Sequence, residues 1–298
     1  MAEKDVGMKL RERLDNIRER LRSTGARIIL FVVVVALTAA LFFEIRAYAI
    51  RLDYFIFDPA TLSLGEKPKW VTAQIEKEIL SIPSLSKPFS LVEPDIARRI
   101  GRDLERMPWV RKVHAVRKYF PNRLEIEMAL RTPVGWAESR GTLHLVDADG
   151  VCLPRTASAR DGTEFAGLPV FTGLTKDAPE AGKPWADESL RAGLSLAGLI
   201  QYSGHPATER VVRIDCKANQ AAVVENIVVF TDKGTAIYWG KPSYASNPLE
   251  LAPEKKLANL LGLLEYYDDQ RLATYRYIDL RYYEAPRAGK LGLAQKTE

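Results

Sequence analysis

MPWVRKVHAVRKYFPNRLEIEMALRTPVGW, residues Met107 to Trp136, is the stretch on which the reading of this 298-residue chain turns. Met107-Pro108 ends whatever helix precedes it, because a proline disfavours the α conformation in the residue before it. Val110 to Phe120 and Leu124 to Leu130 then read as two strands around Pro121-Asn122. The second strand alternates: Leu124, Ile126, Met128 and Leu130 face one way, Glu125 and Glu127 the other.

Upstream, Pro94 sits at the first turn of a helix in which Ile96, Ile100 and Leu104 recur every four residues. A loop flanked by Pro83 and Pro88 precedes it. Before that, Trp70 to Leu80 is predicted to be a helix, with Val71, Ile75, Ile79 and Leu80 near helical spacing. Leu52 to Phe57 is a short apolar strand ended by Asp58-Pro59. Residues 51 to 131 therefore run strand, helix, helix, strand, strand.

Further upstream lies IILFVVVVALTAALFF, Ile28 to Phe43, sixteen residues without a charge. Four consecutive valines and no polar face argue against a buried core helix, because a helix of a soluble protein normally keeps a wet side. Arg27 and Arg46 can extend outward and Tyr48 suits the headgroup level, so residues 28 to 50 are predicted to be a transmembrane helix. Residues 1 to 27, the cytoplasmic tail, carry eight Lys or Arg, against four in residues 44 to 70. The positive-inside rule then leaves the N-terminus in the cytoplasm and carries the rest across. The rival is a cleaved signal peptide with Ala47-Tyr48-Ala49 as its site. The long basic region and the charges of Glu44 and Arg46 favour an uncleaved anchor. In the tail, Leu10, Leu14, Ile17 and Leu21 are spaced as in an amphipathic helix on lipid headgroups, or as a very short coiled-coil seam.

Downstream, residues 132 to 285 read as mostly β with two helices. Strands are expected at Thr142 to Val146, Val151 to Leu153, Leu168 to Phe171, Glu209 to Asp215, Asn226 to Thr231, Thr235 to Trp239 and Thr274 to Tyr283. Asp147-Ala148-Asp149-Gly150 and Asp232-Lys233-Gly234 supply turns. Asp187 to Tyr202 and Pro253 to Tyr267 are the helices, the latter with Leu257, Leu260, Leu261 and Leu264 at i, i+3, i+4 and i+7. Residues 286 to 298 are expected to form a flexible tail. With 47% hydrophobic and 27% charged residues, the chain has the composition of folded protein rather than a disordered stalk. Two cysteines, Cys152 and Cys216, make no disulfide framework, though both lie on the side where a bridge could form. The densest basic stretch, Arg98 to Arg123, holds nine Lys or Arg. It suits anionic headgroups or an acidic partner, or is simply a solvated face.

The passage Met107 to Trp136 resembles the signature of the FtsQ/DivIB family of bacterial cell-division proteins, although Trp109 to Pro121 is about one residue long for it. VDADGV (Val146 to Val151), LPVFTG (Leu168 to Gly173), FTDKGTAIYWG (Phe230 to Gly240), EKKLANLLGLL and YIDLRY (Tyr277 to Tyr282) follow in the family's order. The resemblance implies an α+β fold: a single N-terminal transmembrane helix, a POTRA-type βααββ domain over 51 to 131, then a β-rich domain with two helices. It also implies a non-enzymatic scaffold of the division machinery, binding small single-span coiled-coil proteins of the FtsB (or DivIC) and FtsL types. In that reading the last strand is an open edge. Tyr282, Arg281, Tyr283 and Ile278 become the expected partner-binding residues, tyrosine and arginine being common interface hot spots. The family usually continues with a glycine-containing turn, whereas Tyr283-Glu284-Ala285-Pro286 follows here.

No enzyme site emerges from the residues. Ser84-Leu85-Ser86-Lys87 matches S-x-x-K but lies between prolines, and the chain has no K-T-G. His114, His144 and His205 are far apart in sequence, and no Cys or His pair has a ligand spacing, so neither metal nor cofactor is expected. The alternative, a membrane-anchored cell-wall enzyme, would need a site that these motifs do not reveal.

Overall fold

The computed structural model describes residues 24–50, 52–65, 67–216, 227–245, 247–267, 271–272, 274–282, 284 and 286–290. The amphipathic pattern from Leu10 to Leu21 lies outside them. The first helix, α1 (Thr24–Ile50), is exposed along its apolar length and contains Arg27–Tyr48, a 22-residue segment long and apolar enough to cross a membrane. At about 1.5 Å per residue that segment covers roughly 33 Å, a bilayer's hydrocarbon thickness.

The chain divides into two compact units, one of residues 1–101 and 115–126, the other of 102–114 and 127–298. In the first, a 3-10 turn (Asp53–Phe55) and a two-residue strand β1 (Ile56–Phe57) replace the expected strand from Leu52. β1 pairs antiparallel with β2 (Phe89–Ser90), a strand the apolar pattern did not announce. Helix α2 (Ala73–Leu80) is capped by Thr72, whose hydroxyl accepts from the Ile75 N–H. Helix α3 (Ile96–Glu105) follows, with Ile96 and Ile100 fully buried. Strands β3 (Val110–Tyr119) and β4 (Arg123–Leu130) pair with each other across the Pro121-Asn122 turn. Their turn end belongs to the first unit and their open end to the second.

The second unit is built on one nine-stranded sheet. Its strands are β5 (Pro133–Ser139), β6 (Thr142–Asp147), β7 (Cys152–Ala157), β8 (Val170–Thr172), β9 (Val211–Asp215), β10 (Ile227–Thr231), β11 (Ala236–Gly240), β12 (Tyr275–Asp279) and β13 (Arg287–Lys290). They lie in the order β13-β12-β11-β10-β9-β8-β5-β6-β7. The expected hairpin at Asp232-Lys233-Gly234 is the antiparallel pair β10–β11, with Gly234 at φ +80°. Strand β12 runs parallel to β11, a connection made by helix α5 (Pro253–Tyr266). β5 was not expected, because its pattern is nearly all buried rather than alternating.

Helix α4 (Glu188–Tyr202) and α5 close the core with Leu190, Ala197, Ile200, Leu260 and Leu264 against Phe171, Ile214, Val229, Ile237 and Ile278. Backbones approach closely here. A Cβ on Gly193 would lie 2.5 Å from Cys216 Sγ, so α4 packs where only glycine fits. Asp187 caps α4 and ties it down. One carboxylate oxygen accepts from the Leu190 N–H (3.1 Å). The other accepts from Thr175 N–H (2.7 Å), Lys176 N–H (2.7 Å) and the Thr175 hydroxyl (2.9 Å). Burial pushes this carboxyl's pKa up, but the four donors outweigh it and hold it below the ordinary aspartate value. Trp109 is fully buried, beside Phe165 and under the Arg155 guanidinium (5.2 Å).

Two expectations for the C-terminal end are corrected. The strand from Thr274 is not the last: it ends at Asp279, and β13 pairs antiparallel along it, with Ile278 opposite Ala288 and Tyr277 opposite Gly289. The tail from residue 286 is therefore strand over 287–290, because an edge of unpaired N–H and C=O groups recruits nearby backbone whatever its side chains.

Candidate partner-binding edge of the sheet

The four expected contact residues have different fates. Ile278 is 1% exposed and packs in the core, so its side chain presents almost no surface to a partner. The alternation explains this, since Ile278 and Leu280 point inward on the same face. Tyr283 lies outside the described residues. Tyr282 is 44% exposed, and its ring lies 4.9 Å from the Arg281 guanidinium, which also stands 5.4 Å from the ring of Tyr238.

Arg281 is engaged within its own chain. Asp279 accepts from its backbone N–H (2.9 Å), Nε (3.0 Å) and Nη2 (2.8 Å). Burial alone would raise the Asp279 pKa, but the Arg281 hydrogen bonds and charge bring it below the ordinary value. The same bonds raise that of Arg281. The two-pronged grip that an arginine can offer a partner's carboxylate is thus spent on a residue two positions away.

The position of this pair is set by elements distant in sequence. The Leu251 N–H donates to the Arg281 carbonyl (2.7 Å), joining the strand end to the loop between β11 and α5. That loop is anchored by a buried ion pair: Lys256 Nζ lies 3.0 Å from Glu250 Oε2 and 3.0 Å from the Trp239 carbonyl, above the Trp239 ring. Glu250 also accepts from the Lys241 N–H (3.1 Å) and the Asn247 side-chain amide (3.1 Å). Gly240, at φ +92°, admits the carboxylate, since a Cβ there would sit 2.4 Å from Glu250 Oε2.

Three surface features were missed by sequence reasoning. Tyr277, 39% exposed, leans over Gly289 of β13 and lies 5.5 Å from the Tyr238 ring. Tyr266 at the end of α5 is 77% exposed. A groove of about 280 Å³ opens between α5 and the β12–β13 edge, lined by Gly262, Tyr266, Tyr275, Ile278, Pro286 and Ala288. The strand alternation carried a signal for Tyr277, but the groove depends on β13 and had none.

The other candidates separate. Ser84 lies on a 3-10 turn (Pro83–Leu85), not at the start of an α-helix. His114 is on β3, and His144 packs edge-on against Trp185 with its pKa lowered by burial. His205 Nδ1 accepts from the Ala207 N–H. Cys152 and Cys216 are free and buried. Among the described residues no group of three or more His, Cys, Asp or Glu could hold a metal.

Fold and surface together define an α+β protein with one N-terminal helix long and apolar enough to cross a membrane and exposed tyrosines at the end of β12. No family model matches the chain. Curated relatives do. It is 30% identical over 147 residues to the cell division protein FtsQ of Myxococcus fulvus, covering 49% of each chain. It is 26% identical over 206 residues to FtsQ of a Geobacter species, covering 69% of this chain and 68% of that one. With FtsQ of an Anaeromyxobacter species it shares 30% over 138 residues, 46% of this chain and 43% of that one. The chain is thus similar to cell division proteins of the FtsQ/DivIB family. It spans about half the length of the Myxococcus relative. The extracytoplasmic domain of Geobacillus stearothermophilus DivIB aligns over 46% of this chain and 94% of its own, at 11% identity. The TM-score of 0.29 is too low to compare the folds.

Proposed function

We propose that this protein acts in bacterial cell division as a non-enzymatic, single-span scaffold. Its N-terminus lies in the cytoplasm and its outer domains bind small coiled-coil proteins of the FtsB (or DivIC) and FtsL types. Relatives named as the cell division protein FtsQ support the division role. The observation that carries the binding role is the exposure of Tyr277 and Tyr282 at the end of β12, with Tyr238 and the Arg281 guanidinium against them. Exposed tyrosines beside an arginine are the chemistry of a protein-binding hot spot. Since β13 occupies the antiparallel edge of β12, an incoming strand pairs with the outer edge of β13 or takes its place.

The test is affinity purification of the full chain from detergent-solubilised membranes of dividing cells. Recovery of one or two short single-span proteins with heptad repeats is expected, reduced by Tyr282→Ala. Recovery of no division protein overturns the reading.

A further inference from the structure

Helix α1 ends at Ile50, and Tyr54 follows four residues later. Four residues of fully extended chain reach roughly 14 Å, so the first turn of the outer region is confined close to the membrane surface. The side chains gathered there are unusual for a surface that faces water. Tyr54 is 67% exposed, Phe120 61% and Tyr119 44%. Tyr54 meets Phe55 edge-on at 5.4 Å, and Phe55 meets Phe120 edge-on at 5.9 Å. The 3-10 turn after the anchor and the tip of the β3–β4 hairpin, more than sixty residues apart, thus share one aromatic patch.

Charges of both signs flank it, and the one laid against a ring of the patch is basic. Arg123 lies over the Tyr119 ring at 5.5 Å, Arg117 stands 3.8 Å from Glu125, and Lys118 donates to the Glu93 carbonyl (3.0 Å). Asp53 precedes Tyr54, and Glu93 pairs with Arg99. Exposed aromatic rings beside Arg and Lys are the composition of a membrane–water interface, where the ring meets acyl chain and the polar tip meets headgroup. A clustered apolar surface of this kind marks an interaction site. The short tether decides which one, since it holds the patch at high effective concentration beside lipid.

We infer that Tyr54, Phe55, Tyr119 and Phe120, with Arg123 alongside, rest in the interfacial layer of the bilayer that α1 crosses. The tip of the β3–β4 hairpin is a second contact between this chain and anionic lipid, and it holds the first unit down on the membrane. The inference depends on α1 being a membrane span and is independent of partner binding.

The experiment uses the full chain in nanodiscs of phosphatidylcholine and phosphatidylglycerol, with a nitroxide on Asn122→Cys at the hairpin tip. Cys152 and Cys216 are each 2% exposed, which leaves the introduced thiol as the site of labelling. A second sample carries the label on Ser158→Cys, an exposed loop position of the other unit. The label at 122 is expected to collide more with oxygen and less with a water-soluble nickel chelate than the label at 158. Replacing both Tyr54 and Phe120 by serine is expected to abolish that difference while amide exchange in α2 and α3 stays unchanged. If the double change loosens the unit, Arg123→Glu replaces it, with the same loss expected. Equal nickel accessibility at the two positions overturns the inference, as does a difference that survives these changes. Protection that appears only when a partner protein is added assigns the patch to protein and overturns it too. Failure of the chain to enter the nanodisc removes the anchor itself, and the inference falls with it.

Discussion

Arg281 has two calls on its charge, and the nearer one wins. A guanidinium already held in a fork by Asp279 gives up little to a partner, while the unencumbered face of Tyr282 remains available. Tyr282→Ala is therefore expected to weaken partner binding by about 2 kcal/mol with little change in melting temperature. Arg281→Glu is expected to lower stability as well as binding, because it leaves the half-buried Asp279 facing a like charge instead of its donor. Titration calorimetry and thermal melts on the same preparations separate the two effects. Asp187 makes a second residue-scale prediction. Its pKa is depressed in the folded state, so its stabilisation is complete above the ordinary aspartate value of 3.8 and is lost as pH falls through the folded pKa. Asp187→Ala is expected to cost about 2 kcal/mol or more near neutrality, and its stability should fall less steeply than wild type below that value. Urea unfolding across the acid range is the measurement.

At the scale of elements, β13 and the loop before α5 are held by opposite means. β13 is Arg-Ala-Gly-Lys, with little apolar surface and a shifted register against Tyr275 and Tyr277. Deleting residues 287 to 298 is expected to speed amide exchange along Tyr275–Asp279. The unfolding midpoint should move by only a few degrees, since the core behind β12 is untouched. The loop is held from beneath by Lys256 and Glu250, whose side chains are 3% and 5% exposed. Lys256→Ala leaves a buried carboxylate without its cation and is expected to cost about 3–5 kcal/mol, read by chemical denaturation. Neither element was legible in the sequence. A four-residue strand without a β-branched residue has no pattern, and Lys256 sits among charged neighbours that suggest a solvated helix face.

At the scale of the whole molecule, α1 and the charges ahead of it determine where everything else works. With the basic residues concentrated before Ile28, a C-terminal alkaline phosphatase fusion is expected to be active and a C-terminal cytosolic reporter silent. The opposite pattern reverses the orientation and excludes outer partners. By itself the sequence determined what has a local cause: the uncharged run of α1, the period-four stripe of α3, the β10–β11 hairpin at Asp232-Lys233-Gly234, and the Asp187 start of α4. Such features follow from hydrophobic period, turn chemistry and capping, each complete within a dozen residues. The tertiary structure alone decided that Asp279 takes Arg281, that β13 closes the edge of β12 and that Phe55 meets Phe120. Those outcomes depend on which backbones and rings converge from distant parts of the chain, and pairing across a sheet is set by proximity rather than by neighbours in sequence.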